Sequence, residues 1–351
     1  DDKENVIGVV ELINAMDGEG NIIPFPEMDE KILHSLGSQA AICLVNISYS
    51  HQIQHMLNSF VQVMTTAIDE RTPYNANHTK TMVQYAGRFI DWLNDQPLSW
   101  KFSEEDKQMF LLSAWLHDIG KLVIPQEIMD KPSRLGANGP RLLNRLEKIG
   151  LMTRIAELEG TLSTEQSKSR FEKLAQARKL VEEVNTVGVL TDDYRDRILS
   201  LAEEVYQETD GSIRPWMTPE ERDQLLVRKG TLTAAEREIM QQHVVMTERM
   251  LMQMNLEGSY SKILLWASQH HERLDGTGYP RGLTADRLSM ESRLLMTIDI
   301  YEALTARDRK YKGAIRTEDS FAILRRMAEK GELDRNIVDL FEESEAWKLS
   351  N

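Results

Sequence analysis

Two pairs of adjacent residues stand out for their chemistry: His117-Asp118 in LHDIGK and His270-His271 in HHERLDGTGYP. With His78, His243 and Asp299 they make a set of seven imidazole and carboxylate groups. That donor mixture suits Mn, Fe, Zn or Ni better than Mg or Ca. Seven ligands exceed what one tetrahedral site takes, but they would serve two ions sharing one carboxylate. Such a pair can clamp the attacking and the leaving oxygen of a phosphoryl displacement, so the pattern points to phosphate-ester hydrolysis.

A lone histidine on an apolar helix is more often a core residue than a ligand, and His78 or His243 alone would carry little weight. The combination changes that. Asp118 lies in LLSAWLHDIGKLVI and Asp299 in LLMTIDIYEAL, where a carboxylate is costly to bury unless it is paired or metal-bound. Asp118 has two oxygens and could bridge two ions. Lys121, one turn beyond His117, could hold a phosphate oxygen or protonate a leaving group. The run Asp275-Gly276-Thr277-Gly278-Tyr279-Pro280 is a tight turn placed directly after the histidine pair, and therefore a candidate edge of the site. Tyr279 could stack on a base or contact phosphate. Arg309 and Lys312, after the Asp299 segment, could meet an anionic substrate or simply form a solvated basic patch. His34, His51 and His55 fall on a long N-terminal helix and read as surface or seam residues.

These ligands need elements to hold them apart in sequence and together in space. Residues 6–14, VIGVVELIN, are rich in β-branched residues and read as a buried strand, followed by a glycine-rich turn at 17–21. A helical pattern starts near Glu27. Leu33, Leu36, Ala40, Cys43, Ile47, Ser50, Gln54, Leu57, Val61, Met64 and Ile68 recur at heptad spacing. This seam predicts either a signalling helix in a parallel dimer or two ordinary helices meeting near 48–55. From Thr72 onward the pattern is helical almost throughout, with His78, His117 and His243 on separate helices and LLWASQHHE helical up to the following turn. Thr218-Pro219-Glu220-Glu221 and Thr233-Ala234-Ala235-Glu236 are capping boxes. Residues 138–228 are charged, contain no histidine and read as an inserted helical hairpin between the second and third metal helices, either a solvated structural insertion or a docking arm.

The net charge of −14 over 351 residues argues against a duplex nucleic-acid binder but not against a small anionic substrate, since two divalent ions reverse the local potential. No apolar run reaches membrane-spanning length. The single cysteine, Cys43, rules out an internal disulfide framework, fits a reducing cytoplasm and reads as a packed thiol. The chain begins at Asp1 almost directly on the strand-like run, which reads as the C-terminal part of a longer protein.

Taken jointly, HDIGK at 117–121, HHERLDGTGYP at 270–280 and DIYEALTARDRKYKGA at 299–314 resemble the HD-GYP domain, a subgroup of the HD metal-dependent phosphohydrolases. ERTPYNANHT at 70–79 resembles that family's first metal helix and LTAAEREIMQQH at 232–243 its third. The resemblance covers about 70–137 and 229–340. It implies His78, His117, Asp118, His243, His270, His271 and Asp299 as ligands, Asp118 and Lys121 at the catalytic centre, and Lys121, Tyr279, Arg309 and Lys312 toward substrate. One extra residue in ALTARDRKY shifts the last two. Some members bind a third ion through a glutamate four residues before the first histidine; here that position is Tyr74, so two ions are expected, Fe or Mn before other transition metals. More loosely, residues 6–58 resemble the final strands and last helix of a GAF sensory domain.

The resemblance implies a mainly α fold. It would be an all-helical HD-type bundle with a charged helical-hairpin insertion, preceded by a partial α+β GAF-like domain and a long linker helix. The expected divisions are 1–50 for the GAF-like part, 51–69 for the linker and 70–351 for the catalytic domain with its 138–228 insertion. The implied activity is hydrolysis of cyclic di-GMP to pGpG, and on to GMP, by an activated water without a protein nucleophile. Expected partners are a cyclic dinucleotide, a second copy through the 27–69 helix, and a protein docking on the GYP loop or the insertion. Duplex nucleic acid and membrane contact are not expected. Three alternatives stand beside this: another cyclic dinucleotide such as 3′,3′-cyclic GMP-AMP, a different HD hydrolase acting on mononucleotides or guanosine tetraphosphate, and a non-enzymatic sensory or docking module with structural metals.

Overall fold

Capping chemistry marks many of the helix starts. Ser103, Ser163, Thr191, Thr218, Thr233 and Ser289 each accept a backbone N–H from three residues on, which satisfies one of the donors a helix N-terminus leaves unpaired. The computed structural model describes residues 6, 8–71, 77–254, 256–306 and 315–349, and among them the fold is mainly α. Tyr74, Arg309 and Lys312 lie outside the described residues. The chain divides into two compact units, Asp1–Met64 and Thr65–Asn351.

In the first unit, residues 8–14 form no strand and are exposed, with Val9 86 % accessible. The expected buried strand is therefore not found. β-Branched residues favour extended backbone only where a neighbouring strand takes up their hydrogen bonds, and among the described residues nothing beyond the single bridge Met16–Ile22 does so. Helix α1, Glu27–Arg71, follows as one continuous element. Cys43 is exposed on it, not packed as expected.

The second unit holds the histidines of the predicted site. Helix α2, His78–Asp95, packs on α3, Glu104–Leu116, and a 3₁₀ turn, Ile119–Val123, leads to the short α4, Gln126–Met129. Then come residues 138–228, the expected insertion. It is more than the predicted hairpin: α5, Asn138–Leu158, and α6, Thr164–Thr186, pair with each other, but α7, Asp192–Ala202, a two-stranded antiparallel sheet of β1, Val205–Gln207, and β2, Ile213–Pro215, and α8, Pro219–Leu225, join them. Leu146, Ile149, Val181, Ile198, Trp216 and Leu225 belong to one buried cluster within it. Trp216 is the reason a hairpin alone is not enough: its indole is fully buried and donates to the Val205 carbonyl, which requires the sheet.

Chain entry and exit of the insertion meet at one buried guanidinium. Arg134 donates to the carbonyl oxygens of Val184, Val187 and Val227. Beyond it, α9, Ala234–Met252, packs on the 3₁₀ turn and on α4 and α10, Ser261–Ala267. Helix α11, Met290–Thr305, packs on α2, α10, α12, Thr317–Glu329, and α13, Arg335–Glu343. Tyr85, Phe89, Tyr301, Phe321 and Phe341 bring α2, α11, α12 and α13 together, with ring centroids 4.8 Å apart for Tyr301–Phe321 and 5.1 Å for Phe89–Phe341. Tyr301 thereby fixes the rotation of α11, and Asp299 and Glu302, three residues apart, share another face of that helix.

Candidate metal centre

The seven predicted ligands come together in the second unit. Asp118, His243, His270 and His271 form one cluster and His78, His117 and Asp118 another, with the ligand atoms of each cluster within 4.8 Å of one another. Asp118 belongs to both. Its Oδ1 lies 3.3 Å from Nε2 of His243 and its Oδ2 3.2 Å from Nε2 of His117. Asp299 stands beside them, 3.4 Å from Nε2 of His78 and 3.8 Å from Nδ1 of His271.

Three of the histidines are held by their local backbone. His117 caps the end of α3, and Nδ1 donates to the Ala114 carbonyl (2.7 Å). His243 does the same to Met240 (2.7 Å) and His270 to Ala267 (2.6 Å). A carbonyl can only accept, so Nδ1 carries the proton and the Nε2 lone pair is left facing the carboxylates. On α2, His78 has a different partner, its Nδ1 lying against the Glu302 carboxylate. Histidine–carboxylate and histidine–carbonyl pairs of this kind orient metal ligands and raise their basicity. His270 and His271 lie past the end of α10, not on a helix as expected: α10 stops at Ala267, and the turn directs both rings inward.

Close backbone approach sets the remaining positions. A Cβ on Gly120 would lie 1.9 Å from the His243 carbonyl oxygen and 2.6 Å from the Thr247 nitrogen, so only glycine lets the 3₁₀ turn touch α9. Thr247 seals that contact, accepting from Gly120 N–H and donating to the His117 carbonyl, both at 3.0 Å. Gly278 is similarly constrained, since a Cβ there would lie 2.3 Å from the Arg273 nitrogen.

The polar atoms aimed into the centre fit metal ions. Oδ1 of Asp118, Nε2 of His243 and Nε2 of His270 are buried without a hydrogen-bond partner. Buried acceptors in that state are costly, and three converging on one point are accounted for by a cation. The protonation states agree in the main. Burial resists ionisation of Asp118, but Lys121 and His117 outweigh it and hold the carboxyl well below its usual range. Asp299 is likewise held low against burial by His78 and His271. Burial pushes His270 down, and pushes His271 down to about 4 despite Asp299, which leaves both neutral at pH 7. His78 differs: burial opposes its charge, yet Asp299 and Glu302 raise it to about 10, so a proton must leave before it can ligate.

The half-buried rim comprises Lys121, His271 and Tyr279. Lys121 Nζ bonds Oδ2 of Asp118, so its charge is already committed to the shared carboxylate. The Tyr279 ring lies over His271, with centroids 4.8 Å apart, and its N–H donates to the His271 carbonyl (3.1 Å). Asp275 caps the loop by accepting from Thr277 N–H and hydroxyl, and Gly276 takes φ +79°. Pro280 follows Tyr279 through a cis bond.

Three groups were not singled out from sequence. Glu302 carried a signal, as a second acid one turn after Asp299 in an apolar run. Glu272 is the third letter of HHE; its buried carboxylate accepts the N–H groups of Arg281 and Leu283, both at 2.8 Å, and so fastens the loop to the histidine pair. Thr247 lies four residues after His243, on the same helix face.

Comparison with known proteins covers part of the chain. Residues 213–337 match the HD domain family, a span that holds His243, His270, His271 and Asp299. Among curated relatives, 3'3'-cGAMP-specific phosphodiesterase 3 of Vibrio cholerae is 37 % identical over 100 residues, covering 28 % of this chain and 21 % of that protein. 3'3'-cGAMP-specific phosphodiesterase 1 of the same organism is 36 % identical over 123 residues, 35 % of this chain and 27 % of that protein. The cyclic di-GMP phosphodiesterase response regulator RpfG of Xanthomonas campestris is 34 % identical over 122 residues, 33 % of this chain and 30 % of that protein. The matches span under a third of the length of each of these relatives.

Proposed function

We propose that the chain is a metal-dependent phosphodiesterase of the HD-GYP type that hydrolyses a cyclic dinucleotide, with cyclic di-GMP as the first candidate substrate and pGpG, then GMP, as products. The observation that carries this reading is the sharing of Asp118 between two ligand clusters, one oxygen toward each. His78, His117 and Asp118 would hold one ion, Asp118, His243, His270 and His271 the other, and Asp299 lies within reach of both clusters. Two such ions would supply Lewis-acid polarisation of a phosphoryl oxygen and would lower the pKa of a water. Fe or Mn fits this donor set.

The chain's own groups do the rest. Lys121 adds positive charge beside Asp118, where negative charge builds up on a phosphoryl group in flight. Tyr279 offers an aromatic face at the rim on which a base could lie. Arg309 and Lys312 follow α11 in sequence and complete the proposed substrate contacts. The reading also takes residues 1–50 as the end of a GAF-like sensory domain, 51–69 as the linker and 70–351 as the catalytic domain. It adds a homodimer through the 27–69 helix and a partner docking on the 275–280 loop or the 138–228 insertion. Among the described residues no helix is long and apolar enough to cross a membrane, and one thiol without a disulfide suits the cytoplasm.

A second substrate has its own support, since two of the relatives are named for 3'3'-cGAMP. Anaerobic turnover of cyclic di-GMP and 3′,3′-cyclic GMP-AMP by protein loaded with Fe(II) or Mn(II) separates the two. Linear dinucleotide from either, lost in Asp118→Ala, supports the phosphodiesterase. Absence of product from both with two ions bound sinks it.

A further inference from the structure

Helix α9 presents His243 on a face that is tied down on both sides of it. Glu236 lies seven residues before His243 and Thr247 four after, so at about 3.6 residues per turn the three share one face. That face meets residues 117–131, which run antiparallel to it. At one end Thr247 bonds the His117 carbonyl and the Gly120 N–H. At the other, Nζ of Lys131 donates to both carboxylate oxygens of Glu236, at 2.7 and 2.8 Å. Asp118, whose Oδ1 lies 3.3 Å from Nε2 of His243, belongs to the same 117–131 segment.

The Lys131–Glu236 pair is shielded from water. The lysine side chain is 4 % exposed and the glutamate 20 %, so the attraction is screened less than in a solvated pair. The stem of Lys131 is packed by Gly136, where a Cβ would lie 3.2 Å from Cε of the lysine. Helix capping does not account for the charge at 236. Glu236 closes the Thr233 capping box by accepting the Thr233 N–H at 2.8 Å, but the Ser163 box closes equally well with an amide, Gln166. The negative charge therefore answers to Lys131.

The two tethers stand about 16 Å apart along α9, at about 1.5 Å per residue. Thr247 alone leaves the helix free to tilt about its contact with Gly120. The second tether, two turns before His243, removes that freedom.

We propose that Lys131 is a positioning residue of the metal centre: through Glu236 it holds α9 so that His243 can meet the ion shared with Asp118, His270 and His271. This rests on the reading of that cluster as a metal site.

The test is metal affinity of the whole chain, titrated with Mn(II) against a chelating dye. The wild type is expected to hold two ions. Lys131→Met should weaken one of them by about tenfold, in the range found for partners behind metal ligands, and leave the other unchanged. Glu236→Gln keeps an acceptor for the helix cap and should weaken the same ion to the same degree. The double variant should lose no more than either single one, because both break one interaction. Arg145→Met is the control. It removes the ion pair to Glu221, the acid of the Thr218 capping box in the insertion, and should lower the melting temperature with both affinities intact. Two ions bound at wild-type affinity in Lys131→Met overturn the proposal and leave the phosphodiesterase reading standing. Equal weakening of both ions, shared by Arg145→Met, also overturns it, as general destabilisation. A wild type that takes up no ion sinks the metal centre itself, and this role with it.

Discussion

Glu302 closes on Nδ1 of His78 across 224 positions of sequence, and so couples α11 to the first residue of α2. This carboxylate fixes the ring so that Nε2 faces Asp299 and His117. In metal proteins, loss of a carboxylate behind a ligating histidine weakens affinity by roughly 10- to 100-fold. Glu302→Gln should therefore lower affinity for one of two ions by about that factor, measured by competition with a chelating dye. Unchanged affinity for both ions would show that His78 needs no such support.

Asp118→Asn removes the oxygen charge shared by both clusters. The expected result is a fall from two bound ions to one or none by elemental analysis, with turnover down by more than the roughly hundredfold cost of an outer partner. Two ions retained at wild-type affinity would mean that Asp118 does not bridge.

Gly120→Ala tests the contact between the 3₁₀ turn and α9. The new methyl would overlap the His243 carbonyl, and overpacking of this kind costs about 1–3 kcal/mol. A lower melting temperature should accompany weakened metal binding, because the displaced segment carries His243. Loss of stability with metal affinity intact would separate packing from the site.

Arg134→Met leaves the buried Val184 carbonyl and the half-buried Val187 and Val227 carbonyls short of a donor, and a buried group left unpaired costs about 1–3 kcal/mol. Hydrogen exchange should rise first in residues 134–228, with the α2–α3–α11 core less affected. Uniform loss of protection would show that the insertion and the bundle unfold as one.

The Lys131–Glu236 pair governs an acid limb. Burial works against the Glu236 charge, but Lys131 and the Thr233 amide prevail and set its carboxyl below 4.5. A carboxyl lowered in the folded state contributes stability above its unfolded value, lost as pH falls through the folded value. Lys131→Met should thus be less stable than wild type at pH 6–7, and the gap should close below about pH 4.5. A gap constant from pH 7 to 3 would assign the effect to packing.

The histidine–carboxylate cluster was legible because chemistry leaves residue types that packing does not call for. An Asp in LLMTIDIYEAL or a His-His pair has no bland explanation once several such features share one helical domain. Glu302 was harder to see, as one more acid near a helix end, and its partner could be found only once α2 and α11 were side by side. The strand expected at 6–14 failed for a related reason: β-branched composition reports a preference that only a neighbouring strand makes real. Of the seam read from sequence on α1, Cys43 and Ile47 face solvent while Val61 and Ile68 are buried, a difference that periodicity alone does not foresee. The insertion was legible as helical, but its sheet hangs on Trp216, one residue whose burial no local pattern announced.

Arg134 and Val227 are 93 positions apart and hydrogen-bonded to each other. The intervening segment leaves and returns through a single gap, with a core of its own in between. A piece so attached can change in length without rethreading the bundle that carries the histidines. Changes within the intervening residues are taken up by that separate core, while the surrounding helices answer to the geometry of the histidine–carboxylate cluster.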